Sequence, residues 1–266
     1  MTASHALFAQ SSDADYSLFE KREYVKDRYT LPYRILWPEN REKGKAYPLF
    51  IYLHGMGQGG RDNEKQIRHR ADLFLDAENR IKYPCIALYP QAPFGRAFVH
   101  ITKKGKQSLL TELRDFSDKE EECHDRIAMS LSPYGNMLYE LVEQLIKDGV
   151  VDTKRVYISG SSMGAFSTFE FISEYPDLFA AAAPMSGGAV LSTIGRWAGK
   201  VPVWIMHGDK DPIIPVESSR IVVDELKRRG ITSYRYSEFK GVKHHSWEKA
   251  FKEPDFLDWF FSKSRE

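Results

Sequence analysis

A chain of 266 residues, 42% hydrophobic and 28% charged, can build one α/β domain with a sizeable core, or at most two small ones. Its formal net charge of +1 supplies no long-range field for nucleic acid or an anionic membrane, and no apolar run approaches the length of a membrane span. Two cysteines, Cys85 and Cys123, make no disulfide framework and have no metal-ligand spacing.

In chain order, Ala6-Leu7-Phe8-Ala9-Gln10 reads as the tail of a secretory signal that lacks its basic region and most of its apolar region. Residues 1–15 are therefore expected to be a disordered tail or a signal-peptide remnant. The second reading favours a secreted or periplasmic protein, the first a cytoplasmic one. Strands are expected at 21–26 and 29–37, around a charged Asp27-Arg28 turn. The continuous apolar run 47–53 reads as a strand buried on both faces of a parallel sheet.

The glycine-rich stretch His54-Gly55-Met56-Gly57-Gln58-Gly59-Gly60 follows. It has neither the spacing of a dinucleotide fingerprint nor the Gly-Lys-Ser/Thr of a phosphate loop. A helical stripe over 64–80 (Ile67, Ala71, Phe74, Leu75) leads to a buried strand at 85–89, with Cys85 as a small core residue. Residues 132–148 form an amphipathic helix stopped by Gly149. Strands at 155–159, 180–186, 201–206 and 233–239 then alternate with helices at 165–174, 216–229 and from 255 onward. That alternation predicts an α/β fold with a mostly parallel, doubly wound sheet flanked by helices, in one domain over 16–266. One segment breaks the rhythm. Residues 95–131 are too long for a routine connection, carry dense charge, and are a candidate lid or pocket wall. Within them Cys123-His124 lacks the further ligands that a metal site needs.

The chemistry concentrates at Gly160-Ser161-Ser162-Met163-Gly164, between an apolar strand and a helical segment. Strand, tight turn and helix around G-x-S-x-G define a nucleophile elbow. The serine sits in a strained backbone, so its neighbours two before and two after must carry almost no side chain. The amide of Met163, opening the helix, then points to where an oxyanion would form. A serine nucleophile needs a base in hydrogen-bond reach and an acid to orient it. Downstream, Asp209 and Asp211 stand at one strand end, and His244 and His245 are the only histidines beyond them. The amide of Met56, in the loop after an early strand, is the second oxyanion donor. His54 is expected to be structural, its ring hydrogen-bonded beneath that loop. Gln91, His245 and Trp247 are candidate substrate contacts.

Four blocks carry a resemblance. They are Leu53 to Gln66 (LHGMGQGGRDNEKQ), Gly160 to Gly164, His207-Gly208-Asp209-Lys210-Asp211-Pro212-Ile213-Ile214-Pro215, and Gly241-Val242-Lys243-His244-His245-Ser246-Trp247. Together they resemble compact α/β-hydrolases of the phospholipase/carboxylesterase-like and feruloyl-esterase-like (esterase D-type) group, from about Tyr33 to the C-terminus. The resemblance implies an α/β-hydrolase fold with Ser162 as nucleophile, Asp211 as acid and His244 as base. It leaves Asp209 as a turn former.

The implied function is a serine hydrolase that cleaves carboxylic esters through an acyl-enzyme. Short-chain, aromatic-acyl or carbohydrate-linked esters are the expected substrates, with no cofactor and no metal. A thioesterase or a serine peptidase on the same fold is the alternative, and a non-catalytic binding protein the remote one. Two departures stand out. Ala165-Phe166 follows the elbow where relatives usually have a second glycine, narrowing the space beneath it, and 95–131 has no recognised counterpart.

Overall fold

The structure is a computed structural model that describes residues 15–68, 71–103 and 127–266. Residues 1–14 of the expected 1–15 tail, the bulk of the charged segment (104–126) and Cys123-His124 lie outside the described residues. In chain order the strands are β1 (Glu20–Lys26), β2 (Tyr29–Leu36), β3 (Tyr47–Leu53), β4 (Ile86–Pro90), β5 (Val99–Lys103), β6 (Ile127–Leu131), β7 (Val151–Ser161), β8 (Ala181–Met185), β9 (Val203–Gly208) and β10 (Tyr234–Phe239). The α-helices are α1 (Ala77–Lys82), α2 (Pro133–Lys147), α3 (Met163–Glu174), α4 (Ile194–Trp197), α5 (Glu217–Arg228), α6 (Trp247–Ala250) and α7 (Phe256–Phe261).

Eight strands make one sheet in the order β1-β2-β4-β3-β7-β8-β9-β10. Only β1–β2 and β2–β4 pair antiparallel; the other neighbours in this sheet are parallel. Parallel pairs need long crossovers, which the helices supply. Alternate side chains then serve two cores. Leu49, Ile51 and Leu53 of β3 and Val203 and Ile205 of β9 pack against α2, α3, α4 and α5. Phe50 and Tyr52 of β3 and Trp204 and Met206 of β9 pack against α6, α7 and the 67–74 stretch. A strand buried on both faces therefore reads as unbroken apolar sequence, as 47–53 does. This is the mostly parallel, helix-flanked sheet that the alternation of strands and helices predicts.

The long helix α2 begins where its cap demands. The Ser132 hydroxyl accepts the Gly135 amide at 3.2 Å, Pro133 fills the first turn, and Gly149 (φ 71°) ends it. The expected helix over 64–80 is corrected. Two 3₁₀ turns (Lys65–Arg68 and Ala71–Phe74) precede the short α1. The Asp76 carboxylate accepts the Asn79 amide at 2.9 Å and starts a new helix there. Ile67, Ala71 and Phe74 still face the core, because a three- or four-residue spacing suits broken turns as well as one helix.

The described ends of 95–131 pair as an antiparallel hairpin, with Val99 opposite Leu131 and Ile101 opposite Met129. Its apolar face packs on Phe166, Val190 and Ile214. The sequence reading did not anticipate this hairpin, because its partner strands are separated by the charged stretch between them.

Candidate active site

β7 runs straight into α3 through Ser162, which has φ 55° and ψ −118°. Such a backbone costs a non-glycine residue about 1–3 kcal/mol and persists only where its surroundings dictate it. Those surroundings are two glycines. A Cβ on Gly164 would lie 2.0 Å from the Leu53 carbonyl oxygen, and one on Gly160 would lie 2.4 Å from the Gly164 oxygen. The helix start is thus pressed onto β3 and β7, and the Ser162 amide is tied to the Met185 carbonyl at 2.9 Å. The extra methyl of Ala165 is accommodated from the other side. Gly187 faces it, and a Cβ there would come within 2.5 Å of the Ala165 Cβ.

Ser162, His244 and Asp211 meet in one hydrogen-bonded chain. His244 Nε2 lies 2.9 Å from the Ser162 hydroxyl, and His244 Nδ1 lies 2.7 Å from Asp211 Oδ2. Because Asp211 accepts, Nδ1 carries the hydrogen and Nε2 presents its lone pair to the serine. The Asp211 side chain is fully buried. Burial alone would raise its pKa, but hydrogen bonds from His207, His244 and the Ile214 amide outweigh that and hold it well below the usual carboxylate range. Its other oxygen accepts the amides of Ile213 at 2.9 Å and Ile214 at 3.0 Å.

The loop bearing His244 is fixed from three sides. Gly208 lets it cross β9, since a Cβ there would meet the carbonyl oxygens of Val242 and Lys243 at 2.4 and 2.5 Å. The His244 carbonyl accepts the Ser246 amide at 2.9 Å and the Ser186 hydroxyl at 3.0 Å. Trp247 is buried and meets the His244 ring edge-on, with centroids 5.4 Å apart. His245 instead turns outward; its side chain is 52% exposed and lies 3.5 Å from Glu248.

The loop after β3 abuts the elbow, because a Cβ on Gly55 would lie 3.6 Å from the Ser162 Cβ. Met56 opens a one-turn 3₁₀ helix and Met163 opens α3. First-turn amides have no partner within their own helix and remain free to donate. His54 lies underneath, fully buried, with Nδ1 donating to the Gly55 carbonyl at 2.6 Å and Nε2 accepting the Ala92 amide at 3.0 Å. Burial pushes its pKa down to about 4, so the ring is neutral and structural.

Gln91 is a correction. It is buried, its oxygen accepts the Asn63 amide at 2.8 Å, and its nitrogen donates to Gln58 O and Asp62 Oδ1, both at 3.0 Å. It ties down the loop and has no face left for a substrate. Asp209 likewise stays in a turn, accepting the Gly241 amide at 2.6 Å. Sequence reasoning gave no role to His207 or Ser186. His207 stands inside a block already singled out, while Ser186, at φ 54° in the structure, carries no local signal in the sequence.

A family model described as Phospholipase/Carboxylesterase matches residues 40–258. The chain belongs to that family. Among the described residues no helix is long and apolar enough to cross a membrane. The chain is 24% identical over 220 residues to acyl-protein thioesterase 1 homolog 1 of Dictyostelium discoideum, covering 80% of this chain and 89% of that one. A 75-residue stretch is 36% identical to the bifunctional acetylxylan esterase/xylanase XynS20E of Neocallimastix patriciarum, covering 28% of this chain and only 11% of that protein. Among solved structures, a thermostable esterase superposes with a TM-score of 0.78 at 29% identity, over 94% of this chain and 64% of the other.

The elbow packing makes a direct prediction. Gly164→Ala places a methyl 2.0 Å from a backbone oxygen, whereas Gly57→Ala meets nothing within 4 Å. The first variant should be insoluble or strongly destabilised and the second should melt like the parent. Circular dichroism melts compare them, and equal melting temperatures would show that the elbow is not held by this contact.

Proposed function

We propose that the chain hydrolyses carboxylic esters through an acyl-enzyme, with Ser162 as nucleophile, His244 as general base and acid, and Asp211 orienting the imidazole. The observation that carries this reading is the unbroken chain from Asp211 through His244 to Ser162, at 2.7 and 2.9 Å. As Ser162 Oγ attacks the ester carbonyl, His244 Nε2 takes its proton. The carbonyl oxygen becomes an oxyanion and receives the amides of Met56 and Met163. Collapse expels the alcohol, which takes the proton from His244. Water then enters, gives a proton to His244 and attacks the acyl-enzyme; the acid leaves and Ser162 recovers its proton. Side chains and amides of the chain fill every role, so no step calls for a metal or cofactor.

For substrates we favour small esters, carbohydrate-linked ones included. The local similarity to an acetylxylan esterase/xylanase supports this. Phe94 and Ile213 support an apolar or aromatic acyl or alcohol group, because they are 76% and 42% exposed on the loops flanking Gly59 and Asp211. The β5–β6 hairpin, packed on Phe166 and Ile214, suits a wall of the same site. Thioester cleavage is the second reading, favoured by the likeness to a thioesterase homolog over 80% of this chain. Chromogenic esters of graded acyl length, methyl ferulate, acetylated xylan and an acyl thioester, assayed side by side, separate these readings. No turnover of any of them would overturn the proposal.

Ser162→Ala should lose on the order of 10⁴–10⁶ in kcat with an unchanged melting temperature. A fluorophosphonate probe should label the parent once, at Ser162. Labelling elsewhere would sink the assignment.

Asp211→Asn should be far more damaging than Asp209→Asn, since only Asp211 faces His244. Equal kcat/KM for the two variants on one ester would refute the orienting role.

His244→Ala should be as severe as losing Ser162, because residues acting as a unit fail together. His245→Ala should keep most activity and change mainly KM, since its exposed ring stands at the rim. Finding His245→Ala inactive and His244→Ala active would reverse the two roles.

A further inference from the structure

We infer that His207 is a positioning residue for the proposed reaction: as a second imidazole donor to Asp211, it sets how strongly the carboxylate supports His244. This rests on the triad reading above. His207 lies near the end of β9 and is fully buried. Its Nε2 has two neighbours, the Ile214 carbonyl at 3.0 Å and Asp211 Oδ2 at 3.2 Å. Both are acceptors, so this nitrogen carries a hydrogen whether or not the ring is charged. The other nitrogen lies 2.7 Å from the Ser219 hydroxyl of α5, which in turn donates to the Gly187 carbonyl at 2.8 Å. The ring is therefore held from two elements, with its Nε2–H on the Ile214 carbonyl and Asp211 Oδ2 beside it, 3.2 Å from the same nitrogen.

The consequence lies at Asp211. Oδ2 takes the His244 N–H and lies 3.2 Å from His207 Nε2, and Oδ1 takes two amides. Both oxygens of the carboxylate are thus engaged. Its side chain is sealed from solvent, and the charge it offers His244 is partly drawn off by His207.

Other charges near His207 are already engaged. Glu238 of β10 is its register partner, and that carboxylate is bound by Arg220 at 2.5 and 2.9 Å and by the Tyr236 hydroxyl at 2.6 Å. Asp211 is thus the carboxylate within reach of the His207 Nε2–H. A histidine that merely filled the core would stabilise the 211–214 loop without touching the pH profile. A positioning histidine must move that profile.

The test uses His207→Phe, which keeps a buried ring without the donor, and His207→Gln, whose amide N–H can take the place of Nε2–H. Both are measured for kcat, KM and melting temperature, and for the pH dependence of kcat/KM on 4-nitrophenyl acetate, with Ser162→Ala alongside. His207→Phe should lower kcat on the order of tenfold with little change in KM, the scale of one hydrogen bond to a charged group. The acidic limb should move to higher pH. Without the N–H, Asp211 presents more negative charge, protonated His244 is stabilised, and the base is lost at a higher pH. His207→Gln should restore the limb and most of the rate.

An acidic limb unmoved in both folded variants would overturn the inference and leave a structural histidine. If His207→Phe does not fold, ¹⁵N NMR of the parent histidines decides: His207 Nε2 should show a protonated nitrogen across the active pH range, and an unprotonated signal would overturn it. An inactive Ser162→Ala beside an unmoved limb removes only the His207 role. An active Ser162→Ala removes the triad reading itself.

Discussion

Where β3 meets α3, the Leu53 carbonyl stands so near Gly164 that a Cβ would come to 2.0 Å of its oxygen, and the rest of the site follows from that approach. It fixes where the helix can begin relative to the sheet, and the one residue between strand and helix must adopt the strained φ of 55°. The same Leu53 continues through His54 and Gly55 to Met56. A single backbone contact therefore sets the position of Ser162 and the relation between the two amides proposed to bind the oxyanion. Rigid elements hold such a constellation better than loops can, which is the condition for pre-organised electrostatics.

Hydrogen-bond partners, more than burial, divide the roles of the histidines. His54 and His207 are both fully buried. His54 has a carbonyl on one nitrogen and an amide on the other, which fixes a neutral ring. His207 has acceptors around Nε2 and so must donate there. His244 has a carboxylate on one side and a hydroxyl on the other, the pairing that lets a ring pass a proton in either direction. His245, one residue away, faces outward beside Glu248.

The loop after β3 is anchored by polar contacts where apolar packing would leave it loose. Arg34 is buried and donates to the carbonyls of Asn63 and Phe19, both at 2.6 Å. Asn63, at φ 54°, donates to Arg22 O and Tyr33 O and accepts from Gln66. Asp62 caps the turn that follows by accepting the amides of Glu64 and Lys65. Arg22 lies on β1 and Tyr33 and Arg34 on β2, so the loop is fastened to the sheet edge at several points. That anchoring forces the chain into a turn at 62–65 and is one reason why 64–80 does not run as a single helix.

Most of the fold was legible because its signals are local and periodic. Unbroken apolar runs marked β3 and β4, Ser132 and Gly149 bounded α2, and the two glycines around Ser162 announced the elbow. Ser162 was readable for the same reason: its strain must be relieved by neighbours two residues away. The choice of Asp211 over Asp209 and of His244 over His245 came from resemblance, since each pair shares one loop and one chemistry. Tertiary structure separates them, because Gly208 and Ser186 steer the 242–246 loop so that only His244 turns inward. Gln91, a candidate substrate contact after the β4 strand, proved to be a loop tie, and the β5–β6 hairpin was hidden by the residues between its strands. The sequence by itself determined most of the central strands and helices, the elbow and the kinds of residue available for catalysis. Only the folded chain decided which of them meet, because a 2.7 Å hydrogen bond between residues 211 and 244 depends on how separate strands are laid side by side.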